Sequence, residues 1–367
     1  MRTPAALVLA SSLLAAAGCF KLDVNLGGRP EGAPAGASQL PAGAAAGGGS
    51  WADLAAAYSG QFLLGAEFGA VFIAFDTLAY PAEPVDLAAR LLWASGLSPA
   101  AGATVDFYRG QTLLGRATTD AQGFARVRWT PPAAGDYRFT ARIVAVPAGA
   151  SEDLLRVAPA PLLVAARPKD APLAVIDLDH TVVDDSFFRA MVGNARPMAD
   201  SVEVTRRIAR AYTIVYLTHR PDVLTRRSKH WLEANGYPPG PLLVADMGDV
   251  LDSGKFKTAR LSALRRSFPR VAAGIGDKVS DAQAYVDNGL TAYLLPYCKA
   301  KPKDLRRLAA QLRSLRDRGR LNVVSDWRQI EAGLFGGRTF PPAAYADRLE
   351  REAARLEAER RREKDDD

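Results

Sequence analysis

The amino-acid sequence predicts an α/β domain built on a parallel sheet, preceded by a smaller all-β sandwich. Between residues 170 and 335, apolar strand patterns alternate with helical patterns, which is typical of right-handed βαβ crossovers. Between residues 66 and 166, short alternating strands recur at roughly ten-residue spacing with turn residues between them. A length of 367 residues, 48% of them apolar, gives room for about two globular domains.

Five apolar runs in the second half of the chain are expected to be strands of one sheet. They cover residues 173–176, 213–217, 242–245, 271–275 and 291–295, and helical patterns cover 200–211, 221–235, 257–268, 281–288 and 302–317. Only 36 residues lie between Thr181 and Thr218, and 38 lie between Thr218 and Lys257. Neither gap can hold a full cap domain, so we expect an open crevice that accepts bulky phosphates.

Side chains capable of chemistry follow the carboxyl ends of these strands, which share one crevice in an open α/β sheet. The first strand ends in Asp177 and Asp179, which face the same way because they are two residues apart. Two such carboxylates resist joint ionisation unless a cation lies between them or one keeps its proton. Both magnesium sites and acid–base catalysts use such a pair, although this motif alone is equally compatible with a solvated turn.

Three further motifs follow in order. Thr218 ends the second strand, Lys255 and Lys257 open an amphipathic helix, and Asp277 and Asp281 follow a later strand. The order of acid pair, threonine, lysine and acid pair resembles the haloacid dehalogenase (HAD) superfamily of phosphotransferases over roughly residues 170–330. The resemblance implies a Rossmann-like fold and a reaction that requires Mg²⁺.

The same resemblance implies a role for each motif residue. Asp177 would be the nucleophile that forms an aspartyl-phosphate, and Asp179 would protonate the leaving group and then activate water. Thr218 would donate to a phosphoryl oxygen, and Lys257, with Lys255 as the alternative, would neutralise the transferring group. Mg²⁺ would be held by Asp177, the backbone carbonyl of Asp179, and Asp277, with Asp281 binding the metal or orienting its waters.

A closer resemblance is to the lipin and phosphatidylinositol-transfer-associated (Nir-type) domain. It rests on residues 216–224, which include His219 and Arg220, on residues 231–240, on Lys255-Phe-Lys257 and on Gly276–Tyr285. Lipins are magnesium-dependent phosphatidate phosphatases, whereas Nir-type members mainly bind phosphatidic acid. This chain differs from lipins in having His180 where they have Gly, and Gly276-Asp277 where they have Gly-Asn. We assign His180, His219 and Arg220 to substrate contact, with a loop histidine bonded to backbone as the alternative for each histidine.

The strand patterns of residues 66–166, for example 105–108, 125–129 and 137–143, resemble bacterial immunoglobulin-like domains. Tyr137 is a candidate for the tyrosine-corner residue of such domains. This region contains no cluster of catalytic side chains, which indicates a spacer or a partner-binding module.

The N-terminus reads as a targeting segment. Residues 1–18 have a short basic start and an apolar run that ends in small residues before Cys19. This pattern resembles a bacterial lipoprotein signal, with lipidation of Cys19 and an ordinary secretory peptide as the alternative. Residues 19–60 are rich in Ala, Gly and Pro and are expected to be a tether. We therefore predict a lipid-anchored protein of the bacterial cell envelope, at the outer membrane or in the periplasm rather than in the cytoplasm.

The remaining charge pattern indicates anionic partners. The formal net charge is +7, and residues 298–320 carry a concentration of Lys and Arg that would attract phosphates or acidic lipid head groups. For any single Lys or Arg of this stretch, a solvated position on a helix surface is the alternative. No nucleic-acid partner is expected. The charged segment 340–367 is expected to be a solvated helix or a frayed tail.

The sequence as a whole predicts a magnesium-dependent phosphatase that hydrolyses a phosphate monoester, with phosphatidate or another acidic phospholipid as the expected substrate. A phosphorylated small molecule, as in broad-specificity secreted acid phosphatases, is an alternative substrate. A second alternative is a non-catalytic lipoprotein that binds acidic phospholipids or interacts with other surfaces.

Overall fold

The computed structural model describes residues 66–184, 195–245 and 253–365. The expected signal peptide, the lipidation site Cys19 and the tether lie outside these residues. Within the described ranges, no helix combines the length and the apolar character needed to cross a bilayer.

The N-terminal domain is a sandwich of two β-sheets. Its eight strands are β1 Ala70–Phe75, β2 Thr77–Ala79, β3 Val85–Trp93, β4 Thr104–Arg109, β5 Thr112–Thr118, β6 Phe124–Trp129, β7 Gly135–Ala145 and β8 Ala160–Ala166. One sheet has the order β1-β3-β6 and the other β2-β8-β7-β4-β5. Alternating residues of both sheets, such as Phe72, Leu87, Phe107 and Ile143, form one buried core. The Tyr137 hydroxyl donates to the carbonyl of Ala133, four residues upstream, at 2.9 Å.

The second domain is a six-stranded parallel sheet with helices on both faces. Its strands are β9 Leu173–Ile176, β10 Thr213–Pro221, β11 Leu242–Ala245, β12 Val271–Gly276, β13 Thr291–Leu294 and β14 Leu321–Val323, in the order β11-β10-β9-β12-β13-β14. Its helices are α1 Ser201–Ile208, α2 Thr225–Ala234, α3 Ser253–Ser267, α4 Val279–Asp287, α5 Pro302–Ser314, α6 Trp327–Gly336 and α7 Pro342–Asp365. The central strand β9 is completely buried, so a continuous apolar run is what its position requires.

The α/β architecture with a parallel sheet agrees with the sequence prediction, and two elements were not predicted. The strand β14 has only three residues, Leu321–Val323, and α6 follows it through an Asp326 cap that accepts from the Gln329 amide at 2.8 Å. Within the described parts of the segments from β9 to β10 and from β10 to α3, there is no separate cap domain.

The C-terminal segment is helical, and most of its described residues are exposed or partly exposed, but one face of the helix is not solvated. One face of α7, formed by Ala346, Leu349 and Ala353, is buried in the core of the second domain. Salt bridges from Arg306 to Glu357 at 2.5 Å and from Arg313 to Asp347 at 2.8 Å flank this face. Two of the three residues that form this face are alanines, so few large apolar side chains mark the buried face in the sequence.

The two domains pack against each other beside the end of β10. Val71, Ile73 and Leu92 of the sandwich form a buried cluster with Val223 and Leu224, which follow β10 in a short 3-10 turn, Asp222–Leu224. The sandwich therefore lies next to one of the predicted site motifs.

Candidate active site

The first motif leaves the sheet at the end of β9 and turns sharply. The Asp177 amide donates to the Ile275 carbonyl at 2.9 Å, which keeps Asp177 in line with the neighbouring strand β12. His180 then adopts a left-handed backbone conformation with φ of 52°. The amides of Val182 and Val183 return to the Leu178 carbonyl, so the chain folds back around the two carboxylates. Thr181 is fully buried, and its carbonyl accepts from the Trp327 indole at 2.9 Å.

The second motif lies on the adjacent strand β10. Thr218 is buried, and its hydroxyl accepts a hydrogen bond from the Arg220 amide at 3.3 Å. The Arg220 guanidinium donates to both carboxylate oxygens of Asp179, at 2.6 and 3.1 Å. It also donates to the Ser228 hydroxyl at 3.0 Å. Arg220 thus holds Asp179 in a bidentate ion pair, the geometry in which arginine fixes a carboxylate most firmly.

The third motif contributes Lys257 from α3. Its ammonium group lies 3.1 Å from Asp177 Oδ1 and 2.6 Å from Asp281 Oδ2, and the side chain is almost completely buried. The helix begins at Ser253, so Lys257 lies in its second turn rather than at its start. The side chain of the alternative lysine, Lys255, lies outside the described residues.

The fourth motif depends on glycines in β12. A Cβ atom on Gly274 would penetrate the ring of Tyr285, and one on Gly276 would lie 3.2 Å from the Asp281 side chain. The absence of these Cβ atoms lets α4 approach the strand closely. Asp277, at the end of β12, and Asp281, in the first turn of α4, therefore come together beside Asp177.

The surroundings of Asp177 and Asp179 shift the pKa values of these two carboxylates in opposite directions. Burial, reinforced by Asp281 and Asp179, raises the pKa of Asp177 to about 6, although Lys257 acts in the opposite direction. Burial would also raise the pKa of Asp179, but the Arg220 guanidinium outweighs it and lowers that pKa below its ordinary value. Without a bound cation or phosphate, Asp177 therefore keeps a proton more readily than Asp179 does.

Oxygen atoms of Asp177, Asp277 and Asp281 lie within 4.8 Å of one another and are suited to a divalent cation. Burial, followed by the charge of Asp177, raises the pKa of Asp277 well above its usual value. The Oδ1 atoms of Asp277 and Asp281 are buried without a hydrogen-bond partner among the described residues. Hard oxygen donors with unsatisfied lone pairs are the ligands that Mg²⁺ prefers, so this cluster fits the metal implied by the sequence.

The two histidines assigned to substrate contact lie near the carboxyl edge of the sheet, each against an aromatic ring. His180 stacks on Tyr297, with ring centroids 4.2 Å apart, and Tyr297 is 61% exposed. His219 lies 5.7 Å from the ring of Phe256. Arg220, the third residue assigned to substrate contact, is buried and bonds to Asp179 and Ser228.

Four residues contribute to this site although the sequence analysis assigned them no role. Ser228 bonds Arg220, Tyr297 stacks on His180, and Tyr285 lies under the fourth motif with its hydroxyl donating to the Ile275 carbonyl at 3.2 Å. Lys278 is exposed, and its positive charge opposes the rise in the pKa values of Asp177 and Asp277 and contributes to the lowered pKa of Asp179. The position of Lys278 directly after Asp277 could have indicated it, whereas the other three depend on tertiary packing.

Comparison with known families places this geometry in context. Residues 174–294 match the family model described as PITM 1-3, LNS2 domain. The matched segment starts within β9 and ends with β13, so it contains all four motifs of the site. The match supports a HAD-type phosphatase domain in general at these residues. No curated protein matches the chain.

Solved structures resemble parts of the chain. A HAD-like phosphatase from Mesorhizobium loti is 14% identical with a TM-score of 0.34, over 50% of this chain and 88% of that one. A chain of the Pnkp1/Rnl/Hen1 RNA repair complex is 14% identical with a TM-score of 0.33, over 36% of this chain and 44% of that one. The Yersinia pseudotuberculosis adhesin InvE is 12% identical with a TM-score of 0.20, over 28% of this chain and 33% of that one.

The chain spans about half the length of the RNA repair chains that it matches, 44% and 54% in two structures. The interpretation of the second domain therefore rests on its topology, its site and the family match, and not on these structural likenesses.

Proposed function

We propose that this protein is a magnesium-dependent phosphatase that hydrolyses a phosphate monoester through an aspartyl-phosphate on Asp177. The observation that carries the proposal is the division of labour between two carboxylates. Asp177 lies against Lys257 and two further acids, whereas Asp179 is held apart by Arg220. A site that only binds phosphate has no chemical need for a second carboxylate held in this way.

In the first step, a carboxylate oxygen of Asp177 attacks the phosphorus atom, and the bond to the leaving oxygen breaks. Lys257, which is 3.1 Å from Asp177, neutralises charge on the transferring group, and Thr218 donates to one of its oxygens. Asp179 gives its proton to the leaving oxygen. The negative phosphate next to Asp179 favours the protonated form required for this transfer, against the effect of Arg220.

In the second step, a water molecule attacks the phosphorus atom of the aspartyl-phosphate. Asp179 removes a proton from this water, and the acyl-phosphate bond breaks to release inorganic phosphate and regenerate Asp177. The proton taken up by Asp179 in one turnover is the proton that the next leaving group requires.

Asp177, Asp277 and Asp281, with the backbone carbonyl of Asp179, would hold Mg²⁺. When bound, the metal supplies positive charge that permits these carboxylates to be ionised together and stabilises the negative charge of the transferring phosphoryl group.

For the substrate we propose phosphatidate or a related acidic phospholipid. The rim formed by the loop after β13 supports this choice, because exposed Tyr297 stacks on His180 and is followed by exposed Lys299, Lys301 and Lys303. Aromatic side chains favour the interface between water and bilayer, and each lysine near an anionic surface contributes about 1 kcal/mol of attraction. A lipid anchor at Cys19, proposed from the sequence, would place the site at a membrane.

The test compares phosphate release from phosphatidate vesicles and from p-nitrophenyl phosphate, with Mg²⁺ or with EDTA. We expect release that requires Mg²⁺, is lost in Asp179→Asn and is retained in the surface control Asp153→Asn. No release from either substrate, with vesicle binding equal in wild type and Asp179→Asn, would establish the alternative of a non-catalytic binding protein.

A second comparison tests the lipid substrate. Substituting Lys299→Gln together with Lys301→Gln should reduce activity on vesicles several-fold and leave p-nitrophenyl phosphate hydrolysis unchanged. Lys169→Gln is the matched control, because exposed Lys169 precedes β9 at the opposite edge of the sheet. Efficient hydrolysis of the soluble ester without hydrolysis of vesicles would instead indicate a soluble-substrate phosphatase.

A further inference from the structure

An ion pair connects the sandwich directly to the segment that follows the second motif. Arg90 of β3 donates from Nη1 to Asp222 Oδ2 at 2.6 Å. Asp222 is completely buried and lies two residues after Arg220, at the start of the 3-10 turn. Arg90 is itself held by the sandwich, because its Nε donates to the Gln122 carbonyl at 3.1 Å and its guanidinium lies over the Phe124 ring.

A second connection reaches helix α2, which directly follows the same segment. Lys229 of α2 contacts Asp76 Oδ1 at 2.6 Å and donates to the carbonyls of Ala74 and Pro161 at 2.8 and 2.9 Å. Asp76 lies between β1 and β2, and it also accepts from the Leu242 amide of β11 at 3.0 Å. Lys229 is the neighbour of Ser228, which bonds to Arg220.

Both connections involve residues close to Arg220, the arginine that is paired with Asp179. Only Pro221 separates Arg220 from Asp222, and the Asp222 carboxylate is paired with Arg90. Arg220 also donates to the Ser228 hydroxyl in α2, and the next residue, Lys229, is paired with Asp76 of the sandwich. Between the two connections, Val223 and Leu224 are buried against Val71, Ile73 and Leu92 of the sandwich. The segment that follows Arg220 and the helix that carries Ser228 are therefore both in direct contact with the sandwich.

From this arrangement we infer that the sandwich is part of the catalytic unit, and that Arg90 is a positioning residue for the Arg220–Asp179 pair. This inference rests on the proposed phosphatase function. In place of a spacer, the sandwich becomes a domain that helps to hold a catalytic side chain in position. Removing the positive charge from a buried ion pair is costly, so the segment around Asp222 should shift when Arg90 is replaced. Catalytic groups tolerate displacements of only about 0.5 Å before the rate falls.

The test uses the full chain with Arg90→Met, which retains much of the side-chain length and removes the charge. We expect a decrease in kcat of about tenfold or more for p-nitrophenyl phosphate, with KM changed less than twofold, because Lys257 and Thr218 are untouched. Arg90→Lys should restore kcat to within about threefold of wild type. A purely structural role predicts a lower melting temperature for Arg90→Met with kcat per folded molecule unchanged, and that result would overturn the inference.

Arg126→Met is the matched control. Arg126 also lies over the Phe124 ring, but its partner is Asp120 at 2.7 Å within the sandwich. We expect wild-type kcat for this variant, and an equal decrease in both variants would contradict the inference. If Arg90→Met does not fold, Arg90→Gln replaces it, and wild-type kcat in folded Arg90→Gln is equally contradictory.

Hydrogen exchange separates this inference from the phosphatase proposal, because it does not depend on turnover. Amides of residues 218–229 should exchange faster in Arg90→Met than in wild type or Arg126→Met, whereas those of residues 271–281 should not change. If the wild type has no phosphatase activity but exchange responds in this way, the proposed function fails and the structural connection stands. Unchanged exchange at residues 218–229 would remove the basis for the inference whatever the activity.

Discussion

Asp277 is buried beside Asp177 and Asp281, and burial is the main reason that its pKa is raised. The folded protein therefore holds the Asp277 proton more tightly than the unfolded chain does. As the pH rises above about 4, the ordinary range for Asp, the unfolded chain releases its proton first and the folded state loses stability. The buried carboxyl of Asp277 thus reduces the stability of the metal-free protein at neutral pH.

Replacing Asp277 with Asn should consequently stabilise the protein in EDTA. We predict that Asp277→Asn melts at a higher temperature than wild type at pH 8, and at nearly the same temperature at pH 4. For a domain of this size each kcal/mol recovered corresponds to roughly 2–4 °C. Mg²⁺ should raise the melting temperature of wild type but have little effect on the variant.

The control for the amide replacement is Asp287→Asn, at an exposed position at the end of α4. It should melt like wild type at both pH values in EDTA and also with Mg²⁺. A melting temperature for Asp277→Asn at or below that of wild type at pH 8 in EDTA would contradict the electrostatic interpretation.

At the scale of residues, the sequence motifs predicted which side chains meet but not how they pair. Asp177, Lys257, Asp277 and Asp281 are brought together because strand ends share one edge of the sheet, which is a consequence of topology. The ion pair between Arg220 and Asp179 depends on the rotamer of a long side chain and on Ser228, one turn into the next helix. Neither the Arg220–Asp179 pair nor the Arg220–Ser228 bond is marked by a recognisable spacing of residues in the sequence.

Among the secondary-structure elements, β12 carries the strictest packing requirement. Gly274 lies against the ring of Tyr285, which is completely buried beneath the fourth motif. We predict that Gly274→Ala destabilises the protein by roughly 1–3 kcal/mol, the usual cost of overpacking a core, as measured by urea unfolding. Gly336→Ala is the control, because a Cβ atom there meets no atom within 4 Å. Combining Gly274→Ala with Tyr285→Leu should recover part of the loss, and an undiminished loss in the double variant would contradict this explanation.

Strong periodic or apolar elements were predicted well, and weakly patterned ones were not. The buried strands β9 and β11 have the predicted bounds because a parallel strand buried on both faces is a continuous apolar run. The three-residue strand β14 is too short to show any period. The buried face of α7 escaped detection because Ala346 and Ala353 permit close packing without adding large apolar residues.

For the whole molecule, the sequence predicted an all-β domain followed by an α/β domain, but not their mutual contact. The connecting groups, Arg90 with Asp222 and Asp76 with Lys229, are distant in sequence and common on protein surfaces. Nothing in a local pattern distinguishes an arginine that crosses a domain boundary from one exposed to solvent. The association of the sandwich with the second motif is therefore visible only in the folded chain.

The central claim, covalent catalysis by Asp177, is tested most directly by trapping the phosphorylated enzyme. Asp179→Asn should be mixed with p-nitrophenyl phosphate and Mg²⁺, quenched in acid, digested and analysed by mass spectrometry. p-Nitrophenolate leaves without a proton, so the first step proceeds in this variant. The attack of water on the aspartyl-phosphate is slow, because Asp179, the base for that step, is missing. We predict one phosphoryl group on the peptide that contains Asp177, formed together with a burst of p-nitrophenolate. A burst without phosphorylation of Asp177, or phosphorylation of a different residue, would contradict the mechanism.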